Sequence, residues 1–427
     1  MTETLEPERR GRLRSLAMDV RPFRFPAYRR LFYGNILSIV GSQMTLVAVG
    51  VQVFRLTGSS AMVGYTSVFA LIPLIVFGLL GGALADSLDR RVLVIWATLI
   101  TAFSSIIFFV QSALEFQSVW VLWVLVAFQS AAASVYRPAR SAMIPRLLPD
   151  KLVPAANTLA SSTQSLGVII GPVVAGYAIG HFDLKWTYLA EAVLLTAAIA
   201  SLVGIPSMPP EQKSARKGAF GRAIRDVWEG FRYLKTQRVL LMTFVVDLIA
   251  MVFGWPLAVF PALASGTFGA SSIGWLYAGS SIGAVAAGLV SGWISNLNRH
   301  GVVIIYSVAI WGASIGVFAF TKDLWLAVLC LALAGAADLV SAALRMTMLQ
   351  VRAPDHMRGR MQGVFMVVVA GGPRLGDVRL GVMATVTAPA FALWSGGLVI
   401  VVAMVVVAVV CKAFWRYEAN ASAPAMN

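Results

Sequence analysis

The chain has 427 residues, 59% of them hydrophobic and only 12% charged, with a mean hydropathy of +0.80 and a formal net charge of +15. Soluble globular domains carry about 25% charged residues, so this composition excludes one and points to a protein that crosses a membrane several times. An excess of basic residues would ordinarily raise nucleic acid as a partner; the placement of the charges, below, argues against it.

Residues 1–30 form a basic tail in which Pro22 and Pro26 discourage a regular helix. The tail has no short apolar segment with a cleavage site, so no signal peptide is expected and the first apolar run serves as the targeting signal. Twelve apolar runs follow, at 31–54, 62–85, 92–113, 118–137, 155–180, 186–205, 239–264, 272–296, 301–320, 324–344, 360–386 and 389–411. Each suits a helix crossing ~30 Å of hydrocarbon at ~1.5 Å per residue.

Between the second and third runs lies a short turn of small residues, two acids and two arginines, Gly81 to Arg91. Asp86 is placed to accept hydrogen bonds from a helix N-terminus, and Arg90 and Arg91 to hold the turn in the cytoplasm. The one long polar connection, 206–238, opens with Pro206, Pro209 and Pro210. In its second half Phe220, Ile224, Val227, Trp228, Phe231 and Leu234 recur at helical spacing between charges. This predicts an amphipathic helix lying on the membrane surface, with a partner-binding helix as the alternative.

Sorting Lys and Arg by loop assigns 29 to one side and 3 (Arg55, Lys185, Lys322) to the other, while Arg374 and Arg379 lie within a helix. The asymmetry predicts cytoplasmic N- and C-termini. It also explains the positive charge as an inventory of cytoplasmic loops, with no nucleic acid involved. The expected organisation is a tail (1–30), an N-terminal six-helix bundle (31–205), a linker (206–238), a C-terminal six-helix bundle (239–412) and a second tail (413–427).

The two bundles look duplicated. At an offset of 210, Gly82–Asp86 meets Gly292–Asn296; at 205, Pro149-Asp150 meets Pro354-Asp355 and Arg140 meets Arg345. The second offset also carries Gly167, Gly171 and Gly176 onto Gly372, Gly376 and Gly381. Duplicated bundles of this kind face each other across a midplane cavity and rock to expose it alternately.

Ionisable groups at membrane depth are costly and usually have a partner or a task. Asp247 in the seventh run has no basic neighbour in sequence. Asp338 lies two turns from Arg345, a separation of ~10 Å along the helix that argues against a direct bond. Asp377 lies beside Arg374 and Arg379, where a local ion pair is available. These three acids are the candidates for proton coupling; Glu191, near the outer end of the sixth run, reads more readily as a satisfied internal charge. Arg374, Arg379, Gln129, Asn35 and Gln43 are the candidates to line a substrate cavity, and the two arginines would favour an anionic cargo. Cys330 and Cys411 both sit in apolar runs, and no metal-ligand spacing, phosphate loop or hydrolase motif occurs, so neither cofactor, metal nor enzyme activity is expected.

Gly82-x-x-x-Asp86-x-x-x-Arg90-Arg91 resembles the loop signature of the major facilitator superfamily, departing from it at Ser87 and Asp89. With Arg140 and Arg345, this motif would form the conformational gate. Gly167-Val-Ile-Ile-Gly171-Pro172-Val-Val-Ala-Gly176 resembles the GxxxGPxxGG element of the drug/proton antiporter branch, with Ala175 in place of the first Gly of the last pair. As packing alone, such a stripe simply lets helices approach closely. The stretches Phe260–Ala264, Ile273–Ala278, Thr347–Gln350, Pro354 and Gly359-Arg360 resemble the enterobactin (siderophore) exporter group. The family's intramembrane RxxQG arginine is absent, because position 126 is Val.

The resemblance implies an all-α protein of twelve transmembrane helices in the inner membrane, working as a monomer within the lipid bilayer. It would export a siderophore or similar bulky organic molecule in exchange for protons. A multidrug or macrolide-type pump and a non-transporting receptor or scaffold on the same fold are the alternatives.

Overall fold

Long runs of Val, Leu, Ile, Phe and Ala leave the backbone no partner but itself in hydrocarbon, so they close into helices. The computed structural model describes residues 19–116, 118–210 and 219–418, and among these every regular element is helical. The principal helices are α1 (Pro26–Thr57), α2 (Ser60–Ser87), α3 (Arg90–Ala113), α4 (Val119–Leu147), α5 (Val153–His181), α6 (Leu184–Val203) and α7 (Ala219–Thr236). They continue with α8 (Arg238–Gly254), the short α9 (Phe260–Leu263), α10 (Ile273–Leu289), α11 (His300–Phe318), α12 (Leu324–Arg352), α13 (Asp355–Val386), α14 (Pro389–Val410) and the short α15 (Lys412–Trp415). Eleven helical segments among the described residues are long and apolar enough to cross a membrane. Helix α13 is as long as any, but it carries Arg374, Asp377 and Arg379 and is not one of the eleven.

Several boundaries differ from the sequence expectation for local reasons. Pro26 starts α1 instead of opposing a helix, since the first helical position needs no N–H donor. Helix α2 runs on to Ser87, which shrinks the predicted turn to Leu88 and Asp89. Helix α4 extends ten residues past its apolar run, through Pro138 and Pro145, to Leu147. The seventh run is not continuous. It breaks after Gly254 and resumes as a 3-10 turn at Leu257–Val259, then α9 and a π turn at Ala264–Phe268. Pro256 and Pro261 each lack the N–H that a continuous helix would use there.

Helix packing repeats itself. Helix α1 packs on α5 and α6, α3 on α4 and α6, and α2 on α4. In the second half α8 packs on α13 and α14, α11 on α12 and α14, and α10 on α12. The first pattern becomes the second when α1–α6 are replaced in order by α8, α10, α11, α12, α13 and α14. The halves meet along two seams related by the same exchange, α2 with α13 and α5 with α10. Large apolar side chains such as Trp96, Phe103, Trp120, Phe128 and Val405 cover the outer surface at 56–66% exposure. That inversion of the soluble pattern fits a lipid-facing belt on a multi-pass membrane protein.

Helix α7 forms where the amphipathic pattern predicts it, yet its apolar face is not free. Leu234 is buried, and Val227 and Phe231 pack with it against Met357, Met361 and Val364 of α13. Arg360 of α13 pairs with Asp226 at 3.4 Å and Glu229 at 3.2 Å. The helix is docked on the second half, with Trp228 and Ile224 left exposed.

Candidate functional site: a charged cavity between the two halves

The end of the molecule bearing the α2–α3 and α4–α5 turns and the α6–α7 connection is the basic end; the opposite end carries the α1–α2, α5–α6 and α13–α14 turns. At that opposite end the two seams close on glycine. A Cβ at Gly64 of α2 would strike the backbone of Asp377 in α13, and one at Gly176 of α5 the backbone of Gly274 in α10. The Thr385 hydroxyl adds a cross-seam bond, accepting from the Ala61 amide at 2.9 Å.

Between the seams lies a cavity of about 610 Å³. Both halves line it. The first contributes Gln43, Thr45, Val49, Thr66, Ser67 and Gln129; the second contributes Asp247, Trp255, Tyr277, Asp338, Arg345, Phe365, Arg374 and Asp377. A smaller cavity of about 110 Å³ shares Ser42, Gln43, Thr101 and Ala133 with it and continues to Asn35, Tyr136, Arg137 and Arg140. The polar path therefore descends from the closed end toward the basic end.

The three acids proposed from sequence all reach the cavity, but in different company. Asp247 is ion-paired to Arg345, each side chain 7% exposed. Asp338 also contacts Arg345, at 3.5 Å. The expectation that Asp338 and Arg345 stand too far apart fails because a helical side chain leans toward the N-terminus of its helix and arginine is long. The expectation that Asp247 lacks a basic neighbour fails because the neighbour comes from another helix. Arg345 thus belongs to the cavity floor and not to a loop gate.

Asp377 accepts a hydrogen bond from Ser67 of α2 at 2.6 Å, across the seam. It forms no ion pair with either nearby arginine. Arg374 lines the cavity and donates to its own helix at Ala370 O, 3.0 Å away. Arg379 points elsewhere. Its Nη1 donates to the carbonyls of Phe253 and Ala392, both at 3.3 Å, and its guanidinium lies over the Phe253 ring. It joins α8 to α14 and is not a cavity residue. Asn35, Gln43 and Gln129 line one cavity or the other as expected, and Arg140, expected at the gate, lines the smaller one.

The turn motif divides. The side chains of Gly82 and Asp86 lie outside the described residues. Arg90 donates to Ala142 O within α4 at 3.0 Å, and Arg91 to Val203 O at the end of α6 at 2.5 Å. The residue that caps α3 is Asp89, one of the two departures from the family pattern. Its Oδ1 accepts from the Arg91 and Val92 amides at 2.8 and 3.3 Å, and its Oδ2 accepts from the Met208 amide at 2.9 Å and from Ser207. Burial raises the Asp89 pKa, but these four donors outweigh it and hold the carboxyl below the usual carboxylate range. In α5, Gly167 and Gly171 pack on Ile39, Val40 and Gln43 of α1, while Gly176 meets α10. Gly274 in turn closes on the Pro172 carbonyl. The stripe therefore serves both the interior of the first half and the seam between halves.

Sequence reasoning missed Thr45, Ser67 and Arg137. Arg137 is one of the 29 basic residues that the loop count places on the basic side. Once α4 extends to Leu147, Arg137 and Arg140 become helical positions three apart, a spacing that could have revealed them. Arg137 stands close enough to Arg374 for their like charges to act on each other across the two halves.

Two six-helix sets related by exchange, closed at one end over a charged cavity, define a secondary transporter of the major facilitator type. The chain belongs to the transmembrane secretion effector family, which it matches over residues 17–426. It is similar to the enterobactin exporter EntS of Shigella boydii serotype 18, with 28% identity over 91% of this chain and 93% of that one. Among solved structures it resembles the nucleoside transporter NupG (D323A mutant), with a TM-score of 0.73 and 16% identity over 91% of this chain and 100% of that one. It also resembles the xylose transporter XylE from E. coli, with a TM-score of 0.67 and 14% identity over 93% and 97%. At those identities the solved structures share the fold alone.

Proposed function

We propose that this protein exports a siderophore or similarly bulky organic acid from the cytoplasm by alternating access, driven by protons. The observation that carries the reading is the cavity of about 610 Å³ lined with charge from the second half and polar groups from the first. Its size suits a drug-sized ligand, and Arg374, with Arg137 opposite, suits an anionic one. The similarity to exporters named for enterobactin supports the same cargo class.

In this reading α13 is the twelfth span, its charges tolerated because they face the cavity or neighbouring helices. The basic end is cytoplasmic, with both termini there, in the inner membrane. The conformation with the opposite end closed is then the one that loads cargo from the cytoplasm. One chain supplies both walls, so a monomer suffices.

Everted membrane vesicles test the proposal. Enterobactin should accumulate inside them when their lumen is made acidic, and collapse of the gradient should release it. Accumulation absent with and without the gradient would overturn the assignment. A second reading, a multidrug pump, is favoured by the apolar wall of Val49, Met251, Trp255 and Phe365. Competition by neutral macrolides for enterobactin uptake would point to it.

A further inference from the structure

One acid in the first half is absent from the ionic inventory of the cavity. Glu191 of α6 is fully buried. Gly41 of α1 allows it to sit directly against that helix, since a Cβ there would lie 3.1 Å from the Glu191 Cγ. Its Oε2 contacts the Thr45 hydroxyl of α1 and lies 2.7 Å from the Ser105 hydroxyl of α3. Gln129 of α4 donates to the same Ser105 oxygen at 3.3 Å. Its other oxygen, Oε1, has no hydrogen-bond partner in the structure.

The charged and titratable groups around it are few. From α1, α3 and α4 it is faced only by neutral Thr45, Ser105 and Gln129. On its own helix the neighbour is Tyr188, whose hydroxyl donates to Gln52 at 2.7 Å. Arg55 acts on Tyr188 and not on Glu191, and among the described residues no ion pair involves Glu191.

The Ser105 hydroxyl has two acceptors within reach and one hydrogen to give. The Ser105 hydroxyl has one proton, and a carbonyl acceptor, Thr101 O, lies 2.8 Å away in its own helix. If that proton is donated to Thr101, the 2.7 Å contact between Ser105 and Glu191 needs a hydrogen from the carboxyl. The Thr45 hydroxyl can then donate to Oε2. An ionised carboxylate here would bury a charge with no counter-ion and leave one oxygen unsolvated, which is among the costliest arrangements in a protein interior. A neutral carboxylic acid satisfies both contacts at Oε2 and leaves at Oε1 an uncharged carbonyl oxygen, which costs far less to bury without a donor than a carboxylate does.

We infer that Glu191 holds a proton in this conformation and is a proton-binding site of the transport cycle, exchanging with the cavity through Thr45. Thr45, Thr101 and Gln129 all line the cavity, so a single hydroxyl separates the acid from it. The exchange is a relay: Glu191 receives the Thr45 proton as Thr45 receives one from hydronium in the cavity, which is left as water, and release runs in reverse. The inference rests on proton coupling as proposed above, but it names a residue in the half opposite the ion-paired acids. Asp247 and Asp338 already have Arg345 beside them; Glu191 has no cation to compensate its charge.

Two measurements on the purified, reconstituted protein decide it. Infrared spectroscopy at neutral pH should show a carboxylic-acid carbonyl band that is missing in Glu191→Gln. Spectra of the two proteins that superpose in that region would overturn the inference. In proteoliposomes, Glu191→Gln should lose gradient-driven enterobactin accumulation while keeping enterobactin counterflow, which moves no net proton. Gradient-driven accumulation retained by the variant would also overturn it. Wild-type transport that ignores the gradient would sink the coupling itself, and the infrared band would still report whether Glu191 is protonated. If Glu191→Gln does not fold, Ser105→Ala leaves the acid in place and removes its acceptor. The band should then shift, and an unshifted band counts against the proposal.

Discussion

Arg345 of α12 and Asp247 of α8 form a buried ion pair that joins two helices on the cavity floor, with Asp338 held at 3.5 Å from the same guanidinium. One cation thus serves two carboxylates. Removing one partner of a buried pair costs about 3–5 kcal/mol because the other charge is left uncompensated. Arg345→Met strands both acids and should fall at the upper end of that range. Asp247→Asn leaves Arg345 with Asp338 and should cost less. Thermal melts in detergent check the order; Asp247→Asn proving the more damaging would contradict it.

How far this arrangement was legible in the sequence depends on whether the partner lies on the same helix. Membrane runs, the duplication, the amphipathic α7, the membrane depth of Asp247, Asp338 and Asp377 and a cavity place for Arg374 could be read from hydropathy and spacing. The Asp247–Arg345 pair could not, because nothing in one helix's sequence says which neighbour it faces. Arg379 and Arg374 look alike in sequence, and only the packing of α8 and α14 separates a structural arginine from a cavity one. Asp89 looked like a defect in the loop motif, whereas it caps α3 and holds the start of the linker through Met208. The break in the seventh run was written in Pro256 and Pro261, but overall hydropathy masked it.

The Asp89 cap makes a prediction about acid stability. Its carboxyl has a lower pKa folded than unfolded. It therefore contributes stability at neutral pH that begins to fade as pH drops past the usual Asp value of ~3.9 and is lost once pH falls through the lower folded value. Asp89→Asn should flatten this part of the pH–stability curve, and Asp89→Ala should in addition lose a cap worth about 0.5–2 kcal/mol. Melting temperatures from neutral to strongly acidic pH should show the two curves converging only at the acid end. Parallel curves for wild type and Asp89→Asn would mean the carboxylate contributes nothing.

Closure of the far end depends on residues without side chains. A Cβ at Gly381 of α13 would run into the Ser60 carbonyl of α2. Overpacking such a contact costs roughly 1–3 kcal/mol, and Gly381→Val would charge that cost to the closed state alone. The balance between conformations should move roughly tenfold or more toward the state open at that end. Spin labels at exposed Phe182 and Thr387 should then report a longer distance across the seam. An unchanged distribution would mean that the closed end is not a mobile gate.

The two arginines of α13 separate cargo recognition from folding. Arg374 lines the cavity with one hydrogen bond to its own helix, so its charge is available to cargo at little structural cost. Arg379 links two backbone carbonyls on different helices and stacks on Phe253. Arg374→Gln should therefore raise the KM for an anionic catecholate about tenfold, the loss of roughly 1.4 kcal/mol of charge-assisted binding, while leaving the melting temperature near that of wild type. Arg379→Gln should do the reverse, lowering the melting temperature with the KM of the surviving protein unchanged. A neutral cargo should be insensitive to Arg374→Gln, because what that variant removes is attraction to negative charge. If both variants weakened anionic and neutral cargo alike, the charge on Arg374 would have no part in selection, and the cavity would be choosing its cargo by shape and apolar contact.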